Sequence, residues 1–432
     1  MRTKLLIFGI SGDLSRRKLL PALKRILLTE EFQDDLSIIG VSRQPDDVRQ
    51  ILTRSLGDDS LADKFSMFTM DLAKPAKYHE LKKYINLQDD EQLLAYFSVP
   101  PSIATSIVDF MGEAGINTPN VKILFEKPFG VDLASAEDII ARTTRYFKEE
   151  QLYRIDHYLA KEMSQNIVAF RGGNALFSHI WNNQAIESIE VLATEKIDIE
   201  GRAQFYEQTG ALRDLVQGHL MQLLALTLME IPAEFDWDTL ASFRLKALEQ
   251  LTIADPADTY RAQYKGYQDE VANEGSLVET FASVGLTSND PRWKNTPIRL
   301  VTGKALSRKT TEVRIHLKKQ RLAQSNKIIF RIQPNEGISI ELYIKKPGYD
   351  RQFERRSLSF SYPEDEVLPD AYEQVIVDAI RSRKSLFTSG DEVLRSWKIL
   401  SRVQESWHMD NDPLPLYRKG SSLKQIHEQL GV

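Results

Sequence analysis

The sequence predicts two architectures in tandem: an α/β region on a parallel sheet, then an α+β region with a large, mainly antiparallel sheet and helices. Three observations carry this. Apolar runs of strand length alternate with amphipathic helical stretches over roughly the first 155 residues. A glycine-containing turn joins the first apolar run to the first helix. Beyond that point the apolar residues settle into a period-2 alternation with few helices between. A chain of 432 residues also exceeds what one hydrophobic core accommodates, and we expect domains at 1–155 and 156–432.

The elements follow in order. Residues 4–10 form a continuous apolar strand, and 14–28 a helix with Leu19, Leu20, Leu23, Ile26 and Leu27 on one stripe. Strands are expected at 36–41, 65–70, 93–99 and 121–125, with helices from about 46 and over 103–114. Asp132 is a suitable N-cap for a helix ending near Phe147. In the second region a long helix is expected over 208–229, then alternating segments at 298–302, 312–317, 327–332 and 338–344, then helices at 371–381 and 392–407.

Composition narrows the function. Residues are 42% hydrophobic and 27% charged, as in an ordinary globular protein. The net charge of −5 gives no basic field for nucleic acid, so an anionic ligand must be met by local cations. Absence of cysteine excludes disulfides, a thiol nucleophile and cysteine metal sites, and fits a reducing, cytoplasmic setting. The histidines and acids show no metal-ligand spacing, so no metal is expected. The first apolar run is interrupted after Ile10 and is too short to span a bilayer. No membrane association is expected.

The first strand runs into Gly9-Ile10-Ser11-Gly12-Asp13-Leu14 and then a helix. Glycines there let a backbone approach a pyrophosphate, whose charge the helix N-terminus favours. This reads as a Rossmann-like dinucleotide-binding turn, although its spacing is G-x-x-G-x-L. After the second strand comes Ser42-Arg43-Gln44, with no acid for a ribose 2′-hydroxyl. Arg43 is suited to a 2′-phosphate instead, which favours NADP and leaves NAD open.

Three further stretches are Glu126-Lys127-Pro128-Phe129-Gly130, then 154–162 (RIDHYLAKE), then 210–220 (GALRDLVQGHL). Together with 9–18, Gly303-Lys304-Ala305-Leu306 and Asp370-Ala371-Tyr372-Glu373, they resemble in order and spacing the signature segments of glucose-6-phosphate dehydrogenases. The resemblance covers nearly the whole chain. It implies oxidation of D-glucose 6-phosphate at C1 to 6-phospho-D-glucono-1,5-lactone with hydride transfer to NADP, the first oxidative step of the pentose phosphate pathway. It also implies a dimer built on the antiparallel sheet, with a tetramer left open.

Histidine suits removal of the C1 hydroxyl proton because its pKa lies near the working pH. The resemblance makes His219 that base and Asp156 the acid that orients it. It assigns His157, Tyr158 and Lys161 to the substrate phosphate, and Glu195 and Asp214 to sugar hydroxyls. Lys304 and Lys309 fall at two further substrate lysines. Lys127, before a cis Pro128, is expected at both reactants. Gly9, Ser11, Gly12, Asp13, Leu14, Lys18, Arg43, Gln44 and Pro100 complete the cofactor set. The chain departs from the family pattern at Ala160, at 204–206 and at Gly218, just before the expected base. Two alternatives are an enzyme acting on another sugar and a catalytically silent relative. Retention of the phosphate set argues against the first, and of His219, Asp156 and Lys127 against the second.

Overall fold

The computed structural model describes residues 1–321, 325–363, 366 and 368–431. The chain forms two compact units, Met1–Ala160 with Pro369–Val393, and Lys161–Leu368 with Leu394–Val432. A single linear division near 155 therefore differs from the structure, because 369–393 returns to the first unit.

The first unit is built on parallel strands β1 (Arg2–Phe8), β2 (Leu36–Ser42), β3 (Phe65–Thr69), β4 (Glu91–Phe97), β5 (Val121–Phe125) and β6 (Leu152–Ile155). Their order is β6-β5-β4-β1-β2-β3, with a short antiparallel strand, Phe387–Thr388, beside β6. The chain leaves β1 toward β2 and returns to its other side at β4, which creates a crevice at the carboxyl ends of those strands. Phe8 is in register with both Val41 and Phe97, so the residues after all three strands share one edge. The strands read as apolar runs because helices cover both faces. Leu5, Ile7, Leu23 and Ile26 share a core with Val375, Ile376 and Ala379 of the returning helix Ala371–Ile380. Asp132 caps Leu133–Tyr146, accepting the Ser135 N–H at 2.8 Å.

Two elements here differ from expectation. The helix expected over 14–28 begins as a π-helical turn, Ser15–Leu19, before the α-helix Leu20–Leu27. Pro21 explains this, since it has no N–H for the i−4 bond. The short β6 was not anticipated, because it carries Arg154, buried and paired with Glu149 at 2.6 Å.

The second unit holds a ten-stranded sheet. Its strands are β7 (Ile186–Thr194), β8 (Leu251–Ile253), β9 (Thr259–Tyr264), β10 (Phe281–Ser288), β11 (Ile298–Gly303), β12 (Thr310–Leu317), β13 (Lys327–Gln333), β14 (Gly337–Lys345) and β15 (Phe353–Ser361), with Leu416–Tyr417 at one edge. The order is β15-β14-β13-β12-β7-β11-β10-β9, with β8 beside β10. Pairing is antiparallel except between β7 and β11 and between β9 and Leu416–Tyr417. One face packs apolar residues under helices: Phe170 of Glu162–Gly173 meets Phe330 edge-on, with ring centroids 5.1 Å apart. The other carries charge pairs, including Arg314 with Glu190 at 2.9 Å and with Glu312 at 2.8 Å.

The long helix expected over 208–229 is broken. Ala203–Ala211 ends in a kink at Gly210 (φ 64°, ψ 175°), Leu212–Leu220 is π-helical, and Met221–Leu228 is α-helical. No helix among the described residues is long and apolar enough to cross a membrane.

Candidate active site

At the shared strand edge of the first unit, Gly9 adopts φ +81°. A Cβ there would stand 2.4 Å from the Ser98 carbonyl oxygen, and one on Gly12 would stand 3.0 Å from the Gly9 carbonyl oxygen. Only glycine permits this close approach of turn and β4. Ser15 locks it, its hydroxyl donating to the Gly9 carbonyl at 3.0 Å and meeting Ser98 Oγ at 2.9 Å. Ser11 and Lys18 are exposed, and Asp13 pairs with Arg17 at 2.9 Å. Leu14 instead packs against the core. Arg43 and Gln44 follow β2 and are exposed, and Arg43 makes no ion pair among the described residues. Pro100, also exposed, precedes the helix Pro101–Glu113. A cradle that a Cβ would fill, flanked by exposed cations, fits the phosphates of a dinucleotide.

β5 leads into Glu126 and a cis Lys127–Pro128 bond. The Tyr96 hydroxyl donates to Glu126. Burial pushes the Glu126 carboxyl up to about 7, the Tyr96 bond opposes this, Asp156 adds to it, and Lys127 opposes it. Asp156 is buried and accepts the Tyr158 N–H at 3.0 Å. The His157 ring lies 4.9 Å from that of Tyr158 and stacks on Tyr372 at 6.5 Å, with a 13° interplanar angle.

In the second unit the parallel register of β7 with β11 aligns Thr194 with Gly303 and so brings Glu195 beside Lys304. The Glu195 N–H donates to the Gly303 carbonyl at 2.9 Å. The Lys304 ammonium, 5% exposed, pairs with Glu195 and lies 3.6 Å from Asp214 Oδ2. A buried ammonium is tolerable with two such carboxylates. Both acids remain part-exposed and can accept bonds from sugar hydroxyls. Tyr206 lies under Lys304, its ring centroid 5.2 Å from Nζ.

Asp214 and the buried His219 share the π-helical segment Leu212–Leu220. At about 100° per residue, an α-helix would set positions five apart on different sides. A π-helix bonds i to i+5, so its winding turns them toward one side. Lys161 precedes Glu162–Gly173 and faces Glu336 at 4.0 Å. Lys309 is exposed just before β12 and makes no ion pair among the described residues, so the structure does not bring it into the acid–lysine cluster. No group of three or more potential ligands that could hold a metal occurs among the described residues.

Glu279 and Glu336 were not singled out in the sequence, and Glu126 and Tyr206 stood there only as members of motifs, with no role given to them. Gly210, inside a stretch read as helix, was the available signal for one of them, because an isolated glycine there invites a packing reason.

Residues 6–166 match the family model described as glucose-6-phosphate dehydrogenase, NAD binding domain, and 168–430 match the glucose-6-phosphate dehydrogenase, C-terminal domain. A glucose-6-phosphate 1-dehydrogenase from Dickeya dadantii is 34% identical, over 96% of this chain and 94% of the relative. One from Bacillus subtilis is 32% identical with the same coverage. A solved glucose-6-phosphate dehydrogenase in complex with its substrate glucose-6-phosphate superposes with a TM-score of 0.91 at 30% identity, over 100% of this chain and 98% of that one. One from Mycobacterium avium gives 0.86, also at 30% identity, over 97% and 94%.

Proposed function

We propose that this chain, which belongs to the glucose-6-phosphate dehydrogenase family, runs its reaction with His219 as the base and NADP as the dinucleotide. The reaction is oxidation of D-glucose 6-phosphate at C1 to 6-phospho-D-glucono-1,5-lactone. That is the first oxidative step of the pentose phosphate pathway. The bound dinucleotide supplies the nicotinamide ring that accepts the hydride.

The observation that carries the residue roles is the π winding of Leu212–Leu220, which turns Asp214 and His219 toward one side, with Asp214 beside Lys304 and Glu195. In this reading His219 takes the C1 hydroxyl proton, with Asp156 holding the imidazolium that results. Glu195 and Asp214 accept bonds from ring hydroxyls, and Lys304 keeps both carboxylates in place. His157, Tyr158 and Lys161 meet the phosphate, with Lys309 as a further cation toward it. Lys127 orients both reactants. The Gly9–Leu14 turn, Lys18 and Pro100 receive the dinucleotide, and Arg43 with Gln44 meets its 2′-phosphate. NAD is accepted less well, because no acid follows β2 to bond a free 2′-hydroxyl.

In the same proposal 1–155, joined by 369–393, serve the dinucleotide, and the remainder of 156–432 serves the sugar and dimerisation. A homodimer in the cytoplasm belongs to the same proposal and rests on the family alone. The test is the near-ultraviolet absorbance of reduced nicotinamide with glucose 6-phosphate and NADP or NAD, run beside H219N. Turnover lost in H219N supports the assignment. Wild-type activity retained in H219N moves the base elsewhere.

A further inference from the structure

Glu279 lies just before β10 and is 5% exposed. Its Oε1 accepts the N–H of Leu212 at 2.7 Å, and its main-chain carbonyl accepts the N–H of Ala211 at 2.9 Å. These donors stand at the start of Leu212–Leu220, where helix N–H groups lack intrahelical partners. Gly210 makes the approach possible. It turns the chain at φ +64°, and a Cβ on it would stand 2.6 Å from Glu279 Oε1. The break in the helix and the buried carboxylate therefore occupy each other's space.

The next residue ties a second element to the same point. The Thr280 carbonyl accepts the Lys304 N–H at 2.9 Å, and its hydroxyl meets that of Tyr417 at 2.9 Å. Tyr417 also donates to the Lys304 carbonyl at 2.8 Å. Two consecutive residues thus fix the segment carrying Asp214 and His219 and the strand end carrying Lys304. Burial raises the Glu279 pKa, opposed first by the Leu212 bond. An apolar side chain would be easier to bury, so the carboxylate is retained for what it bonds.

We infer that Glu279 is a positioning residue for the reaction: it sets the height and rotation of the π-helical segment, and so aims Asp214 and His219 relative to Lys304. This rests on the roles proposed for Asp214 and His219. Their failure shows as an active H219N, whereas failure of this inference shows only in variants at 279.

The test uses the full chain carrying E279D, which withdraws the carboxylate by one methylene, and E279Q, which keeps the length and an acceptor oxygen. E279D is expected to fold, to lose about 10- to 100-fold in kcat/KM for glucose 6-phosphate, and to keep its dinucleotide KM within about twofold. E279Q is expected to stay within about threefold of wild type, because the Leu212 N–H keeps its partner. A folded E279D as active as wild type overturns the inference, as does an E279Q impaired as deeply as E279D. An unfolded E279D, or equal loss toward sugar and dinucleotide, also overturns it, since the carboxylate would then serve stability alone.

Discussion

The ammonium of Lys122, in β5, donates to the main-chain carbonyl of Ala379, 2.6 Å away and 257 positions later in the chain. It also donates to Gln92 Oε1 and Ser382 Oγ, both at 2.7 Å. Ala379 lies at the end of Ala371–Ile380, where carbonyls lack intrahelical partners and a cation suits the helix dipole. One buried lysine thus ties the returning segment to the parallel sheet. K122M should leave these acceptors unsatisfied and lower stability by about 2–4 kcal/mol. Urea unfolding followed by circular dichroism checks this, and an unchanged midpoint would show that the segment docks by apolar contact alone.

Gly9 and Gly57 share φ +81°, yet only Gly9 has backbone against its missing Cβ. G57A should add strain of about 1–2 kcal/mol without altering dinucleotide KM. G9A meets the same strain and also forces the Ser98 carbonyl away, displacing the edge proposed for the phosphates. It should raise dinucleotide KM at least about tenfold while leaving the KM for glucose 6-phosphate within about twofold. Steady-state titration of each substrate against both variants separates the effects. Equal kinetics in G9A and G57A would remove the turn from the cofactor site.

Much of the fold was legible where burial writes a pattern. β1, β2, β4 and β5 are covered on both faces and read as apolar runs, and β12 and β13 alternate because one face packs on helices. Other elements rest on contacts that no local pattern records. Residues 369–393 join the first unit through bonds such as Lys122 to Ala379, and β15 escapes notice because it is exposed along almost its whole length. In the site, resemblance pointed to Asp214 and Lys304 through contiguous motifs, and to Glu195 through the segment before Glu200-Gly201-Arg202. It did not reach Glu279, and it met Tyr206 only as part of the departure at 204–206. Their importance comes from the elements they abut, and the Glu279 carboxylate gives the kink at Gly210 its packing reason.

Glu126 gives stability a pH dependence of known sign. Its carboxyl is pushed from 4.5 up to about 7, chiefly by burial. Between those values the folded chain retains a proton that the unfolded chain releases, so this contribution to stability falls as pH rises and stays lost above about 7. E126Q cannot ionise and still offers an oxygen to the Tyr96 hydroxyl. The variant should match wild type in thermal midpoint near pH 5 and exceed it by a few degrees near pH 8. A difference that stays flat across this range would mean that Glu126 is ionised throughout.

Arg43 tests the choice of dinucleotide. Its guanidinium follows β2 into solvent and makes no ion pair among the described residues, so meeting a 2′-phosphate breaks no existing bridge. A charge-assisted bond of this kind contributes about 1.5–3 kcal/mol, which corresponds to about 10- to 100-fold in binding. R43A should therefore raise the KM for NADP by that factor and leave the KM for NAD within about twofold. The wild-type preference should also shrink as salt rises, because an exposed pair is screened. Equal losses with both dinucleotides would assign Arg43 to a group they share. No loss with either would shift recognition of the 2′-phosphate to another cation at this edge, with exposed Lys18 the next residue to replace.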